Sequence, residues 1–162
     1  MPSTPVLSAG WESERMKICI VSSCGGHLTE VRRLKPAYEK YAHFYVLNDK
    51  AILPADMQSK TYFIAHSERD WKSFLNLWEA LWILRRERPD VILSTGAGPA
   101  VPFAIIGRFF FRTRVVFVET IASTHAATLT GRIMYRLAQR FFYQWESLSA
   151  FFPKGEYGGP LI

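Results

Sequence analysis

Short apolar, β-branched runs alternate along this chain with stretches of helical period, and each run stops at a small or polar turn. Strands that alternate with helices are joined by crossovers, so this order predicts an α/β fold, a single Rossmann-like domain with a parallel sheet. Residues 17–22 (KICIVS) read as a first, buried strand. A helix follows over 27–40 with Leu28, Val31 and Leu34 on one face, and Pro36 kinks or ends it. Residues 43–47 and 62–65 read as strands two and three. The span 71–87 is an amphipathic helix in which Trp71, Phe74, Leu75, Trp78, Leu81 and Trp82 repeat as a core stripe, with a membrane interface as the alternative for its tryptophans. Arg85, Arg86 and Arg88 suit the negative end of its dipole, and Pro89 stops it. Strand four is 91–94, a tight turn spans 96–98, and a helix runs from Pro99 to about 112. Strand five (115–118), a helix (128–139) and strand six (141–145) complete one domain over 16–162, behind a loose leader over 1–15. No internal repeat or second domain is visible.

A chain of 162 residues buries a core without disulfide staples. Cys19 and Cys24 are too few for a disulfide scaffold or a structural zinc site, and they suit a reducing, cytoplasmic setting. With 20 Lys+Arg against 14 Asp+Glu and 15% aromatic residues, the chain is both basic and aromatic. That pairing fits a membrane interface better than a nucleic-acid groove. The arginines are scattered among apolar residues rather than striped on one face, which argues against nucleic acid. No segment is long enough to span a bilayer: the run 99–111 is broken by Arg108 and falls short of the roughly 20 residues required. The first 15 residues lack the pattern of a signal peptide. Within 99–114, Phe103, Phe109, Phe110 and Phe111 interleave with Arg108 and Arg112, as in a helix that dips into the headgroup layer; the alternative is a core helix that covers the sheet with its central residues.

Two turns carry the candidate chemistry. The first is Ser22-Ser23-Cys24-Gly25-Gly26-His27, between strand one and the next helix. Backbone N–H groups at a helix start bind anions, and glycine lets a phosphate approach closely. His27 then projects into the crevice at the strand ends, as a general base or as a histidine that closes the turn. Cys24 reads as a small turn residue rather than a nucleophile. The second turn, Thr95-Gly96-Ala97-Gly98-Pro99, resembles the start of a dinucleotide fingerprint, with Glu119 roughly 20 residues on. It follows the fourth strand instead of the first, and Val101 stands at the third glycine, so a phosphate or diphosphate suits it better than a dinucleotide. Glu119 is either a ligand contact at a strand end or a cap for the next helix. Glu30, three residues after His27, orients it, replaces it as base, or is a solvated first-turn carboxylate. His43, His66 and His125 lack metal-ligand spacing, so no metal is expected, and no other cofactor.

The segments SSCGGHLTEV (22–31), DVILSTGAGPAVP (90–102), VFVET (116–120), QWESL (144–148) and YGGPLI (157–162) resemble the PssD family. These bacterial polysaccharide-biosynthesis subunits are similar to the membrane-anchoring subunit of the eukaryotic split transferase of N-glycan assembly. The CGGH turn is shared more loosely with MurG-like transferases. The resemblance covers nearly all of the chain from residue 16. It implies the N-terminal half of a split GT-B glycosyltransferase, an inverting enzyme that works only with a PssE-like donor-binding subunit. It further implies transfer of glucuronic acid or a hexose from a UDP-sugar to a polyprenyl-diphosphate-linked glycan at the cytoplasmic membrane surface. Residue by residue it carries the interdomain cleft to Gly25, Gly26 and His27, the second turn to Thr95, Gly96, Gly98 and Pro99, and the acidic strand end to Glu119; Ser23 and Cys24 join the first turn as candidate substrate contacts, and Glu30 joins His27 and Glu119 as a catalytic candidate. The tail Tyr157-Gly158-Gly159-Pro160 then meets the partner. The alternative is a non-catalytic scaffold that recruits the catalytic subunit to the membrane. Two departures stand out: no transmembrane anchor is visible, so attachment is expected to be monotopic or peripheral, and Thr120-Ile121 replaces the family's small residue after the acidic strand end.

Overall fold

A computed structural model describes residues 16–48, 51–57, 59–64, 72–96 and 98–161, with the backbone alone for 72–75. The leader over 1–15, Ala65, His66, Trp71 and Ala97 lie outside the described residues, as do the side chains of Phe74 and Leu75. Seven strands, all parallel, form one sheet: β1 (Lys17–Ser22), β2 (Ala42–Asn48), β3 (Thr61–Ile64), β4 (Val91–Ser94), β5 (Arg114–Val118), β6 (Arg140–Tyr143) and β7 (Glu156–Tyr157). Their order is β3-β2-β1-β4-β5-β6-β7. The parallel α/β architecture is as the sequence predicts, with one strand more. The extra strand, β7, is two residues long and falls in the expected tail. Arg140 on β6 secures it, donating from Nε and Nη2 to the two Glu156 carboxylate oxygens at 2.5 and 2.6 Å.

The helices are α1 (Gly26–Arg33), α2 (Lys35–Tyr38), α3 (Lys72–Glu87), α4 (Ala100–Phe110) and α5 (Leu129–Leu137). The single helix expected over 27–40 is two. It breaks at Leu34 because Pro36 has no N–H to donate and instead takes a first-turn position of α2. Alternation along the buried strands divides the core. Ile18, Ile20, Tyr45 and Leu47 face α1 and α2 on one side. Cys19, Val21, Phe44 and Val46 face α3 and α4 on the other. α5 joins α4 on that second side, over Val115, Phe117 and Phe141.

Helix α3 has the expected period but the opposite face inward. Ala80, Ile83 and Leu84 are buried, whereas Trp78 and Trp82 are 70% and 50% exposed, so these two are not core residues. Glu87 helps explain the rotation. Its carboxylate lies under the sheet, where it accepts from Lys17 Nζ and Lys60 Nζ, each at 2.5 Å, and from the Tyr62 hydroxyl. Burial raises the pKa of that carboxyl, and the three donors outweigh burial and hold it at about 2. Turning α3 to bury the tryptophans would pull Glu87 away from those donors.

The membrane segment needs a similar correction. Phe103 is fully buried against the sheet, on the inward side of α4, and is unavailable to lipid. Arg108 Nη1 donates to the carbonyl of Leu137 at the end of α5, so it serves a helix terminus rather than a headgroup. Phe111 packs against the edge of the core. Phe109 and Phe110 are 65% and 69% exposed, and Arg112, exposed at φ 56°, turns the chain out of the helix. Among the described residues no helix is long and apolar enough to cross a membrane.

Candidate functional site

β1 and β4 are neighbours at the middle of the sheet, and the chain leaves them in opposite directions, toward β2 and β5 respectively. Their carboxyl ends therefore flank the switch point where open α/β sheets hold ligands. Both glycine turns identified in the sequence lie there. Gly25 opens α1 at φ 80° and ψ −137°, a conformation that disfavours any side chain, and no side chain caps the helix. A Cβ built on Gly25, Gly26 or Gly98 meets nothing within 4 Å, so the space in front of the turns is open. The Cys24 N–H donates to Asn48 Oδ1 at 3.1 Å, and Asn48 Nδ2 donates to the Cys24 sulfur at 3.6 Å. Cys24 is thus held as a turn residue, with Ser23 half-buried beside it.

His27 joins the two turns. Its Nδ1 lies 3.1 Å from the Thr95 carbonyl oxygen, and Thr95 Oγ1 donates to the His27 carbonyl at 2.9 Å. A carbonyl can only accept, so Nδ1 carries a proton, and in the neutral ring Nε2 is the acceptor nitrogen. The ring covers Gly96: a Cβ there would fall 2.7 Å from His27 Cε1, and φ at Gly96 is 126°. Pro99 is buried ahead of α4.

The two acidic candidates sit elsewhere. Glu30 is buried and is not a solvated first-turn carboxylate. It accepts from Thr120 Oγ1 at 2.7 Å, from the Ile121 N–H at 3.3 Å and from Gln144 Nε2 at 3.0 Å. These bonds tie α1 to the ends of β5 and β6, and none of them reaches His27. Glu119 is buried as well. It accepts from its neighbour's N–H at Thr120, and from Thr128 Oγ1 at 3.0 and 3.1 Å. Thr128 caps α5, accepting from the Gly131 N–H at 2.8 Å, so Glu119 braces a helix cap. Burial pushes its carboxyl pKa up, against the Thr120 and Thr128 donors. Gly131 leaves room for this carboxylate: a Cβ there would lie 1.6 Å from Glu119 Oε2.

The tail runs alongside β6. The Gly158 N–H donates to the Tyr143 carbonyl at 3.0 Å, and the Leu161 N–H donates to Gln144 Oε1 at 2.7 Å. Tyr157 is exposed and Gly159 and Pro160 are half-buried. Gly158, Gly159 and Leu161 border an apolar cavity of about 340 Å³ floored by Leu93, Val116, Val118 and Phe142 and walled by Leu34. Asn48, Thr128, Gly131 and Gln144 are site or support residues that the sequence reading did not single out. Their local signals are a strand end, a helix start and a glycine inside a helix, and Gln144 is also the first residue of the segment 144–148 that carries the family resemblance. Among the described residues no group of three or more His, Cys, Asp or Glu is placed to hold a metal ion.

Residues 61–161 match the family model "Oligosaccharide biosynthesis protein Alg14 like". The human UDP-N-acetylglucosamine transferase subunit ALG14 is 26% identical over 184 residues, covering 92% of this chain and 84% of that protein. Its Candida albicans counterpart is 35% identical over 92 residues, covering 53% of this chain and 41% of that one. Among solved structures, Acinetobacter baumannii MurG superposes with a TM-score of 0.73 at 15% identity, over 88% of this chain and 44% of its own. The UDP-GlcNAc 2-epimerase of Methanocaldococcus jannaschii gives 0.64 at 16% identity, over 86% and 42%. The chain thus spans less than half the length of either solved structure, and at these identities the likeness is one of fold. It agrees with the single Rossmann-like domain expected from the sequence.

Proposed function

The chain belongs to the Alg14-like family of oligosaccharide biosynthesis proteins, and on that premise we propose that it is one half of a split glycosyltransferase. With a PssE-like subunit that binds the donor, it transfers a sugar from a UDP-sugar to a polyprenyl-diphosphate-linked glycan. The observation that carries this reading is the clasp between His27 and Thr95 at the switch point of the sheet. It turns Nε2, the acceptor nitrogen of the neutral ring, toward two open glycine turns. In the proposed reaction Nε2 takes the proton from the acceptor hydroxyl as its oxygen attacks C1 of the donor. The bond from C1 to the UDP oxygen breaks, UDP leaves, and the anomeric centre inverts. The N–H groups at the starts of α1 and α4 hold diphosphate. Glu30 and Glu119, with their oxygens committed to buried partners, support the site and do not act as the base.

The acceptor is lipid-linked, so the subunit works against a membrane surface. Phe109 and Phe110, with Trp78 and Trp82 exposed on the neighbouring helix, supply the apolar contact. Arg85, Arg86 and Arg112 supply exposed cations. The tail 157–160 and the apolar cavity beside it receive the partner.

The test is transfer of labelled sugar into the lipid fraction of membranes that contain this chain, with and without its partner. Transfer requires both chains. The relatives are UDP-N-acetylglucosamine transferase subunits and favour N-acetylglucosamine as donor, and the PssD resemblance favours glucuronic acid, so both are supplied. His27→Ala lowers kcat by about 10²–10⁴-fold in the assembled complex. Full activity of that variant would leave a scaffold role for this chain.

A further inference from the structure

The buried cluster of Glu30, Thr120 and Gln144 has no part in the chemistry described above, yet it joins the end of the chain to the helix that carries His27. Resting on that functional reading, we propose that Gln144 is a positioning residue: through Glu30 and α1 it transmits the placement of the tail, where the partner docks, to His27.

The hydrogen bonds fix the direction of the link. Gln144 is buried at the end of β6. Its Oε1 accepts the Leu161 N–H at 2.7 Å, and its Nε2 donates to Glu30 Oε2 at 3.0 Å and to the Glu119 carbonyl at 2.9 Å. Turning the amide over would set N–H against N–H at Leu161, and oxygen against oxygen at both other contacts. The amide therefore has one orientation, and both its hydrogens are in use. A displaced tail moves Oε1, and Nε2 moves with it.

Glu30 receives that motion. Neutral donors alone hold its carboxylate, and no cation pairs with it among the described residues. A buried carboxylate held this way contributes less to stability than an apolar side chain of the same size. What it supplies is directional attachment at three points. It stands on α1 one turn after His27. α1 has eight residues and is broken from α2 at Leu34, so few anchors define its tilt. Leu28 and Val31 pack it on the sheet, and Glu30 alone reaches across to the ends of β5 and β6. A change of tilt at Glu30 carries the His27 ring across Gly96 and alters its bond to Thr95.

The decisive variant is Leu161→Pro in the whole chain. It removes the N–H that Gln144 accepts, together with the Leu161 side chain at the cavity border, and leaves Glu30, Thr120 and Gln144 in place; Leu161→Ala, which keeps the N–H, is the control for the lost side chain. The first readout is the NMR signal of the His27 Cε1–H group, in the chain alone and after addition of the partner. The signal shifts in Leu161→Pro and in Gln144→Met, and the double variant matches the singles. An unmoved His27 signal in Leu161→Pro, with the fold intact by circular dichroism, overturns the proposal even if Gln144→Met fails to fold. The second readout is sugar transfer at saturating partner. Gln144→Glu keeps an acceptor for Leu161 and loses the donor for Glu30. Its kcat falls about tenfold while the donor KM holds, as expected for a misplaced catalytic group. A shifted His27 signal with unchanged kcat keeps the coupling and overturns His27 as the base, so the two ideas fail separately.

Discussion

Gly96 lacks a side chain because the His27 ring occupies the place of one. With φ at 126° and a built Cβ only 2.7 Å from Cε1, Gly96→Ala combines backbone strain with displacement of the ring. Its kcat is expected to fall about 10²-fold, with little change in affinity for the partner, because about 1 Å of misplacement suffices for that loss. Steady-state transfer and a separate binding titration check the two halves of this expectation. Two buried carboxyls titrate in opposite senses. Glu87 is held at about 2 in the fold against an ordinary 4.5, so the unfolded chain binds its proton more readily. Its stabilising contribution is full above about 4.5 and is lost as pH falls toward 2. Glu119 is raised by burial, so the folded chain keeps the proton longer, and stability falls as pH rises from 4.5 through its folded value. Urea unfolding against pH is expected to lose its acid-side slope in Glu87→Gln and its opposite slope in Glu119→Gln. Unchanged slopes would assign the pH dependence to other groups. His27 was legible in the sequence because a glycine turn after a buried strand is a local signal. The surroundings of Glu30 were not: Thr120 and Gln144, 90 and 114 residues away, give no local pattern.

At the scale of elements, the period of α3 was legible and its orientation was not. Apolar residues occupy so much of its circumference that either face satisfies the pattern, and Glu87, at its end, decides. β7 has two residues, too few for any period, and depends on the Arg140–Glu156 pair across from β6. The break at Leu34 was legible from Pro36 alone. The outward tryptophans of α3 and the exposed Phe109-Phe110 end of α4 belong to adjacent helices on one sheet face. Each such side chain contributes about 2 kcal/mol when buried in an interface. Phe109→Ser with Phe110→Ser is therefore expected to weaken binding to vesicles containing anionic lipid by more than tenfold. Wild-type binding is expected to weaken as salt is raised, because the nearby arginines are exposed. Co-sedimentation at two salt concentrations is the measurement, and equal binding of both proteins would move the membrane contact off these helices.

At the scale of the whole molecule, the topology leaves half of one sheet face without a helix among the described residues. Parallel crossovers are right-handed, so connections that run leftward and rightward through the sheet place their helices on opposite faces. Leftward, from β1 to β2, come α1 and α2; rightward, from β3 to β4, β5 and β6, come α3, α4 and α5. The face under α1 is consequently open over β4, β5 and β6. Leu93, Val116 and Phe142 are half-buried there, around the 340 Å³ cavity that the tail borders. An apolar strip of this kind, continuous with the tail, suits an apolar segment of the partner subunit. Phe142→Ser is expected to weaken the complex at least tenfold, since truncating a central aromatic hot spot costs about 2 kcal/mol or more and tenfold is about 1.4 kcal/mol. The isolated variant should unfold at nearly the wild-type urea concentration, because Phe142 already meets solvent. Titration of the partner into both chains decides the matter. Equal affinities would place docking on the exposed Tyr157 edge of β7 alone, and the open face would then await a segment of this chain itself.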